Sequence, residues 1–548
     1  MALTVKGRIP EYAAGALYRT GPGEFIVEDT PIGTHRTTHW FDGFGHTHKF
    51  EIMPNPSDPG GAMRVEYTSR RQSQELVDNI KKTGYRHQGI TFAQRRDPCI
   101  GLFGKIMTVW QNPSAKAKGP DNICVTVQAN MPNLPSKSRS SPVPSGNRAG
   151  LKTVWLTTDR NSFKEFDQRT LEPVGYAAQE NLHPLLKGPL SCAHAQTDPV
   201  TGDVFNYNLD MGRYATYRVF RANAADGTTD ILATICETDV KPAYIHSFFL
   251  SPSFVILCIP STHLGLMGLK VLWERNLVDA IEPFDESKVC KWFVIDRIGD
   301  RGVVASFESD AGFFFHSVNS FEQRDEATGD VDIFCDAIHY NTTDVIRIFE
   351  MDTLLQHNDQ TRRYWGDETR NRNTHSRLVR HRLRVPREDL EKQARRRNTP
   401  LKVQKPLEIR TPHIGELPTI NPAFATRRYR YVYSLPNRGY STLLDSLAKT
   451  DLETRETLYW DNPQSHTPGE AIFVPRPRGN PDGEHELDED DGVLLSVVLD
   501  GFGKTSYLLC LDAKTMTELG RAECEWAVAF GFHGVHTSNL VSSGIRSN

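Results

Sequence analysis

Short apolar runs separated by turn residues recur along the whole chain. Four of them cover residues 154–158, 204–209, 254–259 and 493–499. Turn signals such as Asp198-Pro199 and Asp491-Gly492 lie close to these runs. Runs of this length and composition predict β-strands joined by tight connections. Long amphipathic helices are few, so the pattern favours an all-β fold, and a propeller is the natural way to close so many short strands.

Four histidines stand in segments that are small and aromatic rather than charged: His194, His246, His316 and His533. A buried imidazole is costly without a partner, and a shared metal ion is one partner that four of them can have. Four histidines without a carboxylate ligand would leave coordination positions for dioxygen. This pattern points to oxygen chemistry on an apolar substrate rather than to hydrolysis.

The spacing of these histidines bears on the number of blades. Successive steps are 52, 70 and 217 residues, which correspond to one, one and three blades if a blade with its loops takes about 70 residues. About seven blades would then use the whole chain. Side chains from several blades meet only at the central axis, so a metal there fits the spacing, although no clean repeat is visible in the sequence.

We therefore expect a single domain over residues 1–548, a seven-bladed β-propeller with inserted segments. Two insertions, about 99–135 and 261–285, contain the apolar stretches 99–110 and 264–273. Each stretch fits a helix that caps the propeller or a helix that lies on a membrane surface, and both alternatives stay open. A third, basic insertion covers about 361–410. It fits a contact with anionic lipid or nucleic acid, but a solvated loop with one strand at 377–385 is the favoured interpretation.

Composition narrows the functional classes. The net charge of −4 gives no reason to expect nucleic acid as a partner. The nine cysteines lack CxxC pairs, which argues for a reducing compartment and against a disulfide framework or a structural zinc. The first residues lack the apolar core of a secretory signal, and no apolar run approaches the ~20 residues of a membrane-spanning helix. We expect a cytoplasmic protein, with peripheral membrane contact and oligomeric state left open.

Several motifs taken together resemble those of the carotenoid cleavage oxygenase family. Segments 15–23 (GALYRTGPG) and 40–43 (WFDG) resemble the N-terminal motifs of that family. The segments around the four histidines are similar to its metal-ligand motifs. The resemblance extends from about residue 7 to about residue 537, and the ordered set is specific whereas any single motif is not.

The resemblance implies a seven-bladed propeller with ferrous iron, Fe(2+), on its axis. A helical cap would cover the active-site face, and an apolar tunnel would open toward a membrane. The four metal ligands would be His194, His246, His316 and His533. No catalytic residue beyond these ligands is required.

Carboxylates orient the ligand histidines in this family, because a ligating histidine donates its second N–H to an outer acceptor. Glu416 and Glu470 match two of these carboxylates. At the position of the third carboxylate this chain has Thr158, and the local alignment there is ambiguous by one residue. In that reading one ligand, His246, is oriented by a hydroxyl, a backbone carbonyl or water.

The sequence around the histidines is most similar to that of the fungal branch of the family, which cleaves torulene. The implied reaction adds dioxygen across one double bond of a polyene, which splits into two aldehydes. Aromatic side chains would hold the polyene, with candidates Trp40, Phe248, Phe313 and Phe314, although core packing is the ordinary role of each.

Other functions would require different residues or a different metal. Stilbene-cleaving relatives place a lysine beside the third carboxylate, and the matching residue here is read as Thr157, which disfavours a phenolic stilbene. A propeller scaffold without enzymatic activity would need no metal. A propeller hydrolase would use carboxylate ligands for calcium. Zinc on the same four histidines would bind more tightly than ferrous iron but would not support dioxygen activation.

Overall fold

Strands dominate the structure, as the pattern of short apolar runs predicts. A computed structural model describes residues 1–55, 63–86, 89–94, 122–136, 151–355, 359–391, 399–477 and 488–538. Helices within these ranges are short. The α-helices are Gln74–Thr83, Leu269–Glu274, Met351–Leu354, Asp359–Gly366, Glu368–Asn373 and Arg387–Glu391. The 3-10 helices are Glu11–Ala13, Trp40–Asp42, Gln179–Asn181, Gly265–Gly268, Asp344–Phe349 and Pro422–Phe424.

Five antiparallel sheets follow one another along the chain, and we number them sheets 1 to 5. Sheet 1 contains Thr126–Ala129, Val154–Thr157, Ser162–Phe166 and Pro173–Ala178. Sheet 2 contains Gln196–Thr197, Val204–Met211, Ala215–Ala222 and Thr229–Ile235. Sheet 3 contains Phe249–Leu250, Phe254–Ile259, Val289–Asp296 and Val303–Asp310, and a parallel strand, Leu401–Lys402, is added at its edge. Sheet 4 contains Phe313–Arg324, Val331–Tyr340, Arg377–Val385 and Gln404–Arg410. Sheet 5 contains Glu416–Thr419, Tyr431–Leu435, Ala448–Asp451 and Thr457–Tyr459.

The two ends of the chain form one further sheet of ten strands, which we call the terminal sheet. Its path runs through His466–Pro468, Gly492–Asp500, Thr505–Asp512, Glu518–Cys524, Ala2–Gly7, Arg64–Arg71, Phe44–Met53, Gly15–Glu24 and His533–Ser538. Ile472–Pro475 pairs beside this path with Gly492–Asp500. A separate hairpin consists of Ile26–Thr30 and Gly33–Arg36.

The prediction of seven blades is wrong, because the structure has a ring of five blade-like sheets and the terminal sheet. The strand Ala2–Gly7 is responsible for this difference. It pairs with Glu518–Cys524 through Val5 opposite Ala522, and with Arg64–Arg71 through Leu3 opposite Val65. The strands on its two sides therefore belong to one continuous sheet. Dividing the chain length by a typical blade size does not detect a strand that is hydrogen-bonded on both sides.

The predicted cap segments are described only in part. Residues 95–121, which include the apolar stretch 99–110, lie outside the described residues. In the second stretch Val271 is buried, whereas Leu266 is 72% and Leu269 is 60% exposed. The assignment of these segments as a helical cap, and of residues 1–548 as one domain, stays a prediction. None of the helices among the described residues is long and apolar enough to cross a membrane.

The basic segment contains the strand that the sequence predicts, Arg377–Val385. Its arginines face aspartates from sheet 4. Arg380 pairs with Asp336 at 2.8 Å and Arg382 pairs with Asp332 at 2.7 Å. The charges of these two arginines are therefore matched by aspartates within the sheet. Residues 392–398, which carry three further arginines, lie outside the described residues.

The sheets bring their first strands to a common centre. The first strand of sheet 4 contacts the first strands of sheets 3 and 5. An isolated bridge joins His194, just before sheet 2, to Ser247, just before sheet 3. Residues that begin these strands are therefore close in space although they are far apart in sequence.

Buried histidines outside this centre make the stability of the fold depend on pH. His39 is 1% exposed, accepts a hydrogen bond from the Phe41 N–H and donates one to the Ile346 carbonyl. This arrangement needs a neutral ring, and burial lowers the pKa of His39 to about 4. In the unfolded chain His39 takes up a proton near pH 6.5, whereas in the folded chain it does not. The contribution of His39 to the free energy of unfolding is therefore largest above pH 6.5 and falls as the pH drops toward 4.

We predict that the free energy of unfolding of the metal-free protein falls between pH 7 and pH 5. His39 alone should account for about 2 kcal/mol of that fall. The His39→Asn variant, which keeps an acceptor for Phe41, should lose correspondingly less on acidification. Urea unfolding at the two pH values measures the difference, and an identical pH dependence in the variant would contradict the prediction.

Candidate metal centre

The four predicted histidines meet at one point. One ring nitrogen from each histidine lies within 4.8 Å of those of the other three. The Nε2 atoms of His194 and His246 are 3.2 Å apart, as are those of His316 and His533. His246, His316 and His533 are buried, and His194 is partly exposed. Two ligands that share an ion at about 2.1 Å sit roughly 3 Å apart, so this spacing fits a bound metal.

A β-bulge directs His316 to this point. Phe314 pairs with His339 and Ser317 with Ala337, so Phe315 and His316 together face a single residue of the partner strand. Such a bulge bends the strand and re-aims a side chain, and bulges are common beside functional sites. The local irregularity therefore places the imidazole at the centre instead of on the regular face of the sheet.

A second irregularity places Glu416 behind His316. The register between Glu416–Thr419 and its partner strand shifts between Glu416 and Thr419. Leu417, inside this shift, has a φ of 51°, a left-handed conformation that is uncommon for a non-glycine residue. The Glu416 carboxylate accepts a hydrogen bond of 2.6 Å from Nδ1 of His316.

Three of the four rings donate to carboxylates. His316 donates to Glu416, His533 donates to Glu470 at 2.7 Å, and His246 donates to Asp159 at 2.9 Å. A neutral ring that carries its proton on Nδ1 has only a lone pair on Nε2. When both rings are neutral, His316 and His533 face each other with two lone pairs at 3.2 Å. Two acceptors at this distance repel each other unless a cation lies between them, so the donor set fits a metal ion.

Burial and neighbouring imidazoles keep the rings of His194 and His533 neutral. Burial, with the neighbouring rings as a second cause, lowers the pKa of His194 and His533 well below the usual value. Metal ligation requires neutral imidazole, so this environment prepares the rings for it. Burial also raises the pKa of Glu470 to about 7, and Arg19 opposes that shift.

The structure corrects the third acceptor position, which is Asp159 and not Thr158. Both carboxylate oxygens of Asp159 lie within 3.0 Å of Nδ1 of His246, and Tyr244 donates to the same carboxylate. Thr158 lines the cavity beside the centre. The strand Val154–Thr157 ends just before these residues, and in that irregular segment sequence alone does not tell which of two neighbouring side chains turns toward the ring.

Because the third carboxylate is Asp159, the residue that matches the lysine of stilbene-cleaving relatives is Thr158 and not Thr157. Thr157 is buried and donates to the carbonyl of Ala193, so it does not line the cavity wall. Thr158, which lies beside Asp159, is the residue that lines it. The position remains a threonine, and it offers no positive charge to a phenol.

An aromatic cavity opens onto three of the four histidines, His246, His316 and His533. Its wall includes Trp40, as the sequence suggests, but Phe248, Phe313 and Phe314 are packed in the core. Sequence reasoning missed the other aromatic wall residues, which are Phe41, Phe92, Phe315, Phe349 and Phe532. Two of these, Phe315 and Phe532, directly precede ligand candidates, and that adjacency is a signal that could have identified them.

These features define an all-β protein with a four-histidine centre, suited to a metal ion, at an aromatic cavity. The chain is similar over nearly its whole length to known proteins. The family model described as RPE65, retinal pigment epithelial membrane protein, matches residues 1–538. A carotenoid dioxygenase of Neurospora crassa is 48% identical over 97% of this chain and 88% of its own length. A torulene dioxygenase of Gibberella fujikuroi is 45% identical over 98% of this chain and 91% of its own length.

Solved structures agree with the fold. The Synechocystis apocarotenoid oxygenase superposes with a TM-score of 0.68 at 21% identity, and the match covers 98% of this chain and 95% of that one. The chain therefore belongs to the RPE65 family of carotenoid cleavage oxygenases. The family resemblance derived from the sequence motifs is confirmed.

We predict that Asp159→Asn lowers metal retention by about 10- to 100-fold, because an amide does not fix the tautomer of His246 as a carboxylate does. Metal content after dialysis against a chelator measures the effect. The neighbouring change Thr158→Val is the matched control and should leave metal content unchanged. The opposite result, in which only the Thr158 variant loses metal, would contradict the assignment of Asp159.

Proposed function

We propose that the protein is a non-haem iron(II) dioxygenase that cleaves a carbon–carbon double bond of a carotenoid or apocarotenoid, most similar to torulene, into aldehydes. The observation that carries the proposal is the set of neutral imidazole lone pairs that converge beside an aromatic cavity. The names of the relatives at 45–48% identity support it, since they are carotenoid and torulene dioxygenases. The enzyme is therefore of the carotenoid dioxygenase class.

The donor set is compatible with iron, and the proposed dioxygenase reaction favours iron over zinc, which the same ligands bind more tightly. Imidazole suits zinc, copper, iron and nickel, and dioxygen chemistry requires a metal that changes oxidation state. His194, His246, His316 and His533 would hold it. When bound, ferrous iron supplies the electrons that activate dioxygen.

The protein's own residues bind and orient the substrate. The cavity walls offer aromatic faces to a conjugated, apolar chain, and the Phe349 ring packs against those of Trp40 and Phe41 with centroids 5.6 and 4.9 Å apart. Removing an apolar polyene from water drives its binding, and the rigid walls decide which double bond lies over the centre. Both atoms of O2 end in the two carbonyl groups, so the overall reaction needs no proton donor or acceptor from the chain.

We also propose that the enzyme is cytoplasmic and takes its apolar substrate from a membrane surface. The exposed side chains of Leu266 and Leu269 support a peripheral contact. Both follow the segment around His263 and precede Leu277, which lines the cavity. An apolar surface near the cavity gives a substrate of low water solubility a route to the centre.

Product analysis tests the proposed function. Iron-loaded protein, purified without air, should convert torulene, β-carotene or a β-apo-carotenal into aldehydes and should leave resveratrol intact. The His533→Ala variant should lose both iron and turnover, because it leaves one lone-pair donor fewer. Cleavage of resveratrol with no product from any carotenoid would contradict the proposed substrate class, and full iron content in the His533 variant would contradict the ligand set.

A further inference from the structure

One of the three carboxylates behind the histidines has a charged partner. Nη1 of Arg19 lies 2.6 Å from Oε2 of Glu470, whose other oxygen accepts from His533. The side chains of Arg19 and Glu470 are 3% and 9% exposed. A guanidinium buried this deeply is costly unless it is paired and hydrogen-bonded, so its position calls for a specific role.

The same guanidinium holds the backbone that carries His533. Nη2 of Arg19 donates to the carbonyls of Gly531 and Phe532 at 3.3 and 3.5 Å. The backbone N–H of Gly534 donates to Oε2 of Glu470. Arg19 therefore links the carboxylate acceptor of His533 to the residues immediately before that ring.

The local backbone makes room for this arrangement. Arg19 and Gly534 are paired neighbours in the terminal sheet. A Cβ atom added at Gly534 would lie 2.5 Å from Cδ of Arg19 and 2.5 Å from the Tyr18 carbonyl. A residue without a side chain is needed at 534, because any other would displace the arginine.

The two other carboxylates are held by neutral donors. Tyr340 donates to Glu416 at 2.7 Å, and Tyr244 donates to Asp159 at 2.9 Å. Within these three carboxylate pairs Arg19 supplies the one positive charge. With the three carboxylates ionised and the four imidazoles neutral, as metal ligation requires, these groups and the Arg19 guanidinium carry two negative charges, and a divalent ion brings that sum to zero.

We propose that Arg19 is a positioning residue of the metal centre, which acts through Glu470 to aim Nε2 of His533 at the metal. The inference rests on the proposed function, because it assumes that His533 is a ligand. Arg19 does not touch the centre itself. Arg19 fixes the buried Glu470 carboxylate and the backbone at Gly531 and Phe532. The His533 ring therefore has one orientation before the metal binds.

Cobalt titration of the metal-free protein tests this role without relying on turnover. Co2+ affinity and the visible absorption of the bound Co2+ would be measured for the wild type, Arg19→Met, Arg19→Lys, Glu470→Gln and the double variant Arg19→Met/Glu470→Gln. Tyr340→Phe is the matched comparison, since it removes a neutral donor to Glu416, the carboxylate behind His316. The thermal midpoint of each variant monitors folding.

We expect Arg19→Met to lower Co2+ affinity by about 10- to 100-fold and to alter the absorption of the bound ion. Arg19→Lys should recover part of this loss, because it keeps the charge but cannot bond Glu470 and both carbonyls together. Tyr340→Phe should have a smaller effect than Arg19→Met. In the Glu470→Gln background, Arg19→Met should cause little further loss, because the two residues act in series.

Three results would overturn the inference. The first is wild-type affinity and spectrum in Arg19→Met, and the second is an additive loss in the double variant. If Arg19→Met does not fold, Arg19→Lys carries the same comparison, and wild-type affinity in that variant is the third. Wild-type protein that binds no Co2+ would instead overturn the metal centre and the proposed function with it, whereas normal Co2+ binding without carotenoid cleavage would overturn the proposed function alone.

Discussion

The repulsion between imidazole lone pairs at the centre of the molecule is the interaction on which the rest of the structure depends. In three of the rings a carboxylate accepts a hydrogen bond from Nδ1–H. When such a ring is neutral, its Nε2 atom carries only a lone pair and can act only as an acceptor. Nε2 atoms 3.2 Å apart without a proton between them need a cation. His316 and His533 lie in strands, and His194 and His246 come just before sheets 2 and 3, so residues far apart in the chain meet at this site.

The outer layers of the centre explain why it is built from strands. Bulges at His316 and at Glu416 turn one side chain from each of two neighbouring sheets toward the axis. Tyr340, Tyr244 and Arg19 then hold the carboxylates; Tyr340 and Arg19 lie in strands, and Tyr244 is buried in the connection between sheets 2 and 3. Rigid supports of this kind position a metal ligand more narrowly than a loop does. The aromatic cavity reaches the rings of His246, His316 and His533, where a polyene can approach.

Much of this arrangement was predictable from sequence, because the signals were local. His194, His246, His316 and His533 stand in short, distinctive segments, and Glu416 and Glu470 were found through their motifs. Asp159 was missed by one position, since it lies just after a strand end where periodicity gives no orientation. The role of Arg19 could not be predicted, because its contact with Glu470 spans 451 residues of sequence. The blade count failed for a related reason, since the double pairing of Ala2–Gly7 is a long-range contact that leaves no trace in the spacing of motifs.

X-ray absorption at the iron edge of protein purified without air tests the central claim most directly. The account predicts a ferrous ion whose protein ligands are four imidazole nitrogens, with multiple-scattering features of histidine and no sulfur scatterer. A carboxylate-dominated shell, a sulfur ligand from Cys192, or fewer than three imidazoles would contradict it.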